Sequence, residues 1–189
     1  MSFNEGIEVI VDQLFGEYSA EREPVDLTKL MQPVTEHNNL GIRPCHDMYI
    51  GYCDKGILTI KRIRKPAFGE RWPIGGGMYR GYSTRDSIDK TVERECGLKT
   101  VGSAVMLGSA RILSNYDRLE SGIGMDSTAW VFYVEGVGEL RLDEDHAEPL
   151  FIRPEDCTKE FLDQLHPYLQ DFLPKALKVY EQRIGHKKD

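Results

Sequence analysis

Residues 74–98 read IGGGMYRGYSTRDSIDKTVERECGL, and the rest of the chain is organised around them. The order predicts a strand end, a glycine-rich loop, a turn and one short amphipathic helix. Gly75, Gly76 and Gly77 permit close backbone approach and positive φ. Ser83 followed by Asp86 is a variant capping box that starts the helix, and Gly97 sits where a left-handed cap would end it. At about 100° per residue, Ile88 and Val92 share one side with Cys96, and Glu95 falls roughly 20° from Ile88. Glu93 and Arg94 point elsewhere. A carboxylate on an apolar stripe is costly to bury unless it holds a cation or accepts from a donor. Glu95 therefore fits either a metal ligand or a structural ion pair.

Working outward, 189 residues suit one domain of ordinary size with additions at both ends. Apolar residues at 40% and charged residues at 29% fit a globular protein with a real core. A net charge of −7 gives no general pull toward nucleic acid or an anionic membrane, so an anionic substrate needs a local basic patch. No run is long enough to span a bilayer, and MSFNEGIEVI lacks a basic-then-apolar signal pattern. Cys45, Cys53, Cys96 and Cys157 show neither zinc spacing nor CxxC, which predicts reduced thiols and a cytoplasmic protein.

Before the glycines, residues 4–20 carry Ile7, Ile10, Val11, Leu14 and Phe15 at helical spacing. Residues 21–33 read as a loop with a second short helix. Residues 1–40 thus form a helical arm, for packing or for a homodimer contact, because an apolar face left open favours association. Residues 47–53 and 57–63 are β-rich around Asp54-Lys55-Gly56, a hairpin signal. Residues 101–113 and 127–137 are again β-rich, with residues 115–126 as a long polar loop between them. Residues 151–152 read as a last short strand. Residues 159–184 are helical with interruptions near Pro167 and Pro174, and form a C-terminal segment over residues 158–189. The central domain spans 41–157.

Two charged stretches carry candidate chemistry. Lys61, Arg62, Arg64, Lys65 and Arg71 put five cations within eleven residues. Such a run is a solvated strand edge or a diphosphate clamp, since a guanidinium fork meets two oxygens at once. Asp143-Glu144-Asp145-His146 is either an acidic surface loop or a hard-cation ligand beside a base that titrates near neutrality.

The order of residues 74–98 resembles the Nudix box of the Nudix hydrolase superfamily. Gly76, Val92, Glu95, Gly97 and Leu98 fall on the box without a gap. Tyr82, Lys90, Thr91 and Arg94 stand where the family has Glu, Arg, Glu and Glu, so one acidic ligand of the box is kept. Within the superfamily the chain looks most like GDP-mannose mannosyl hydrolases. Asp47, the segment KRIRKPAFGERWPIGG and the run DEDH carry that likeness, over about residues 45 to 155.

The resemblance implies an α/β/α sandwich around a mixed β-sheet, with the box helix on one face and a C-terminal helix on the other. It implies one divalent cation, Mg²⁺ or Mn²⁺, and cleavage at the anomeric carbon of a nucleoside-diphosphate sugar. Position by position, Glu95 would be a metal ligand, Gly75 would offer its carbonyl and Asp145 would be the third ligand. His146 stands where the family has its general base, Arg62 matches an arginine that steadies the departing diphosphate, and Asp47 lies near the sugar. Gly77 and Lys90 each replace a family arginine. Arg80, with Lys61, Arg64, Lys65 and Lys90, completes the cations available to the substrate. Two other readings stay open: a catalytically silent nucleotide-binding or protein-interaction module, and a pyrophosphohydrolase using Glu93 or Glu144 as makeshift ligands. Glu93 faces away from Glu95 by about 160°.

Overall fold

The computed structural model describes residues 14–15, 42–65, 67–114 and 125–185. Its frame is an eight-stranded mixed sheet. The strands are β1 (Leu14–Phe15), β2 (Arg43–Tyr52), β3 (Ile57–Arg62), β4 (Arg71–Trp72), β5 (Ile74–Gly77), β6 (Lys99–Ser114), β7 (Met125–Val137) and β8 (His146–Ile152). The helices are α1 (Thr84–Cys96), α2 (Lys159–Leu162) and α3 (Pro167–Gly185). The main path runs β1-β6-β7-β2-β3-β4, with β5 paired to β2 and β8 to β3. β2 runs parallel to β7 along its whole length and antiparallel to β5 and β3 at its two ends.

Period-2 alternation on β2 divides the core. Met48, Ile50 and Tyr52 pack with Ile88, Val92 and Cys96 of α1, together with Leu58, Ile60, Ile74 and Leu98. Tyr49 points to the other face, where it joins Val131, Tyr133, Ile152 and the α3 residues Tyr168, Leu169, Phe172, Leu173 and Ala176. This is the expected sandwich, a sheet between two helical layers.

α1 forms as its sequence predicts. The Ser83 side chain accepts from the Asp86 N–H, and Gly97 closes the helix at φ 69° while donating to the Glu93 carbonyl. Ile88, Val92, Glu95 and Cys96 are all buried, as the wheel required. α3 opens on Pro167, where a missing N–H costs nothing. It then runs straight through Pro174, which corrects the expected second interruption. Pro174 lies on the exposed side, and the buried residues Phe172, Leu173, Ala176 and Leu177 around it hold the helix together.

Other expectations change. Gly75, Gly76 and Gly77 belong to β5, not to a loop, and none has positive φ. The value of Gly75 is close approach: a Cβ there would lie 2.0 Å from Asp47 Oδ1. The last strand is longer than residues 151–152, because β8 begins at His146. Its Pro149 hid it, and a proline is tolerated on a strand that pairs on one side only. Leu14–Phe15 form a short strand parallel to β6, not part of a helix; the remainder of the proposed arm lies outside the described residues. The polar stretch 115–124 does too, while Met125 and Asp126 already belong to β7. All four cysteines are free thiols. Among the described residues no helix is long and apolar enough to cross a membrane.

Candidate active site

Strand register brings distant residues together. Asp47 on β2 faces Gly75 on β5, and Arg62 on β3 faces His146 at the head of β8. The end of α1 is tied to the acidic run by backbone bonds, Arg141 N–H to the Cys96 carbonyl at 2.9 Å and Asp143 N–H to the Glu95 carbonyl at 3.0 Å. A cavity of about 920 Å³ opens at this junction, lined by Asp47, Arg62, Gly75, Arg80, Glu95, Asp145 and His146 among others.

Glu95 is 3% exposed. Its Oε2 accepts from the Gly75 N–H at 3.1 Å, and its Oε1 takes a short contact from the Arg94 guanidinium. Burial pushes the carboxyl up to about 7, against the downward pull of Arg94 and the Gly75 N–H. His146 Nδ1 lies 2.6 Å from Asp143 Oδ1, while Nε2 is buried without a hydrogen-bond partner, 3.8 Å from Glu95 Oε2. Burial lowers the imidazole pKa, opposed by Asp143. The ring is then neutral at pH 7, Asp143 accepts Nδ1–H, and Nε2 keeps its lone pair. In that state the His146–Glu95 contact is no salt bridge.

Asp47 is 5% exposed. The Tyr168 hydroxyl donates to its Oδ2 at 2.6 Å, and Trp72 stacks on the Tyr168 ring at 4.9 Å between centroids. Burial raises the Asp47 carboxyl to about 6, with Tyr168 and Arg62 pulling it back. Asp145 Oδ1 lies 2.9 Å from Arg64 Nη1 but at an angle that makes no hydrogen bond.

The remaining cations of the basic run are elsewhere. Lys61 reaches Glu148 at 3.1 Å, Arg64 also meets Glu144 at 3.3 Å, and Lys65 is exposed. Lys90 lies over the Tyr82 ring at 4.7 Å and is exposed. None of these four lines the cavity. Of the makeshift ligands, Glu93 is exposed and the Glu144 side chain is 80% exposed. Sequence reading missed Tyr168, Trp72, His166 and Arg43, which line or brace the site, and it sent Arg94 away from Glu95. The alternation Arg43, Cys45, Asp47 along β2 was the available signal for Arg43; Tyr168 had none.

Glu95 and Asp145 are hard-oxygen donors, and each already faces a guanidinium, Arg94 at Glu95 and Arg64 at 2.9 Å from Asp145 Oδ1. Among the described residues no group of three or more His, Cys, Asp or Glu is arranged so that it could hold a cation by itself. One or two carboxylates fit Mg²⁺ when substrate phosphates and water supply the other ligands.

No family model and no curated protein matches the chain. Solved structures do. The MutT protein from Methanosarcina mazei Go1 is 15% identical with a TM-score of 0.53, over 75% of this chain and 94% of that one. The Nudix domain of Shewanella oneidensis NrtR, crystallised with ADP ribose, is 12% identical with a TM-score of 0.53, over 81% and 95%. A bifunctional NMN adenylyltransferase/ADP ribose pyrophosphatase from Francisella tularensis, complexed with AMP and a manganese ion, is 12% identical with a TM-score of 0.53, over 74% and 42%. The chain therefore has the Nudix fold.

Proposed function

We propose that this chain is a metal-dependent Nudix-type hydrolase of a nucleoside-diphosphate sugar, with His146 as the general base. The observation that carries the reading is the His146–Asp143 pair at 2.6 Å, its Nε2 left without a hydrogen bond in a cavity that also holds Glu95, Asp47 and Arg62. Residues that would hold Mg²⁺ or Mn²⁺ are Glu95, Asp145 and the Gly75 carbonyl; the bound ion would supply charge neutralisation for the departing diphosphate.

The chain's own groups do the rest. Asp143 fixes the imidazole ring, so Nε2 takes a proton from water as the water oxygen bonds to the anomeric carbon. The carbon–oxygen bond to phosphate breaks and its electron pair leaves with the nucleoside diphosphate. Arg62, opposite His146 in the ladder, steadies that charge. Asp47, held by Tyr168, is placed to orient a sugar hydroxyl. The Nudix fold, and the ADP ribose and AMP bound by two proteins that share it, support a nucleotide-type substrate.

Incubation with nucleotide sugars and Mg²⁺ or Mn²⁺ tests this. Free sugar and nucleoside diphosphate should appear, and chelation should stop the reaction. In ¹⁸O water the label should enter the sugar; label in phosphate would point to attack at phosphorus. Hydrolysis of no nucleotide sugar would end the reading.

One observation favours a second reading. Arg94 already holds the Glu95 carboxylate, as a cation would. A silent nucleotide-binding module needs nothing more. Calorimetry separates the two: nucleotide binding that ignores both Mg²⁺ and Glu95→Gln supports the silent module.

A further inference from the structure

The guanidinium of Arg43 lies flat against Gly77. A Cβ on Gly77 would fall 2.6 Å from Nη2, 2.8 Å from Nε and 3.1 Å from Cζ. Only a residue without a side chain leaves that slot open. Arg43 is half-buried, stands at the start of β2 on the face of Cys45 and Asp47, and lines the cavity. The strand pair that builds the slot is fixed by its register, Cys45 opposite Gly77, and by Met78 N–H donating to the Pro44 carbonyl at 3.1 Å.

The charges around the cavity are mostly spoken for. Arg94 holds Glu95, Arg64 holds Asp145 and Tyr168 holds Asp47. Arg43 meets no carboxylate among the described residues. A guanidinium that is half-buried, seated against Gly77 and without a carboxylate partner among the described residues is matched by a phosphate, which its planar fork can grip through two oxygens.

We propose that Arg43, seated in the Gly77 slot, is an anion-binding residue of this site that grips the diphosphate of the bound nucleotide. The inference rests on the nucleotide reading of the cavity and adds a contact from β2, outside both the basic run and the box helix. Gly77 is the positioning residue: it makes room for the arginine and holds nothing itself.

Binding, not turnover, tests it. Calorimetry compares GDP and ADP with guanosine and adenosine, on the full chain. Arg43→Ala should weaken the diphosphates tenfold or more and leave the nucleosides unchanged, and Arg43→Lys should fall between. Gly77→Ala should reproduce the loss by pushing the guanidinium out, because the three atoms nearest its new Cβ all belong to the flexible end of Arg43 and the fold survives. In the Arg43→Ala background, Gly77→Ala should add nothing, a coupling that a merely structural role would not give. Equal loss for nucleosides and diphosphates, or additive losses in the double variant, would overturn the proposal. Wild-type chain that binds diphosphates through Arg43 yet hydrolyses no nucleotide sugar would end the hydrolase reading alone. Diphosphate affinity that ignores Arg43→Ala would end this inference alone, and no diphosphate binding at all would end both.

Discussion

Two sets of charges in this molecule behave in opposite ways. The dense set, Lys61, Arg64 and Lys65, falls within five residues of sequence, is largely at the surface, and is paired with Glu148, Glu144 and Asp145 or left in solvent. The sparse set, Asp47, Glu95 and His146, spans about a hundred residues of chain, is nearly fully buried and converges on one cavity. Charge density along the chain therefore does not identify the site: Arg62 lines the cavity while its neighbours Lys61, Arg64 and Lys65 do not. The energetic reason is that a charge remains in a core only where partners compensate its lost hydration.

That contrast can be broken by mutation. After His146→Ala, the largest effect falls on Glu95→Gln, which keeps the shape but removes the charge; metal-stimulated turnover should drop about 10²-fold or more. Turnover unchanged by Glu95→Gln would put the carboxylate in the structural class. Next comes Gly75→Ala, whose Cβ would meet Asp47 Oδ1 at 2.0 Å and the backbone carbonyl of His46 at 2.6 Å. Neither neighbour can move freely, so chemical denaturation should show a loss of about 3 kcal/mol. Gly77→Ala, two residues on, presses on the flexible end of Arg43 and should cost well under about 1 kcal/mol.

A pH experiment sharpens the same comparison. The Asp47 carboxyl is raised from 3.8 to about 6 by burial, so the folded chain binds its proton more tightly than the unfolded chain. Stability from this group is greatest below pH 4 and falls as pH rises through 6. Relative to Asp47→Asn, the wild type should lose about 3 kcal/mol between pH 4 and pH 7. Glu95 titrates in both chains, so the difference isolates Asp47. A flat difference would mean that the group is not buried as described. The smallest effect belongs to Lys61→Ala, which removes an exposed pair with Glu148 and should change stability by less than about 0.5 kcal/mol.

Much of this was legible in the chain itself. Ser83, Gly97 and the Ile88–Val92–Glu95 stripe defined α1 and placed one carboxylate inside, because caps and helical period are local properties. The pairing of that helix end with residues 143–146 followed only from resemblance, and the backbone bonds from Asp143 and Arg141 now give it a physical basis. What escaped reading was non-local. Arg43 reaches the cavity through strand register, with its alternation with Cys45 and Asp47 as the one local sign, and Tyr168 reaches Asp47 across 121 positions with no mark in spacing. β8 was concealed by Pro149, since edge strands tolerate what strand propensity penalises.

The most direct measurement is nucleotide-sugar hydrolysis by His146→Ala set beside the Lys61→Ala, Lys65→Ala double variant. The account predicts a fall of about 10³-fold in the first and a change within about threefold in the second. Full activity without His146, or collapse without the two lysines, would contradict it.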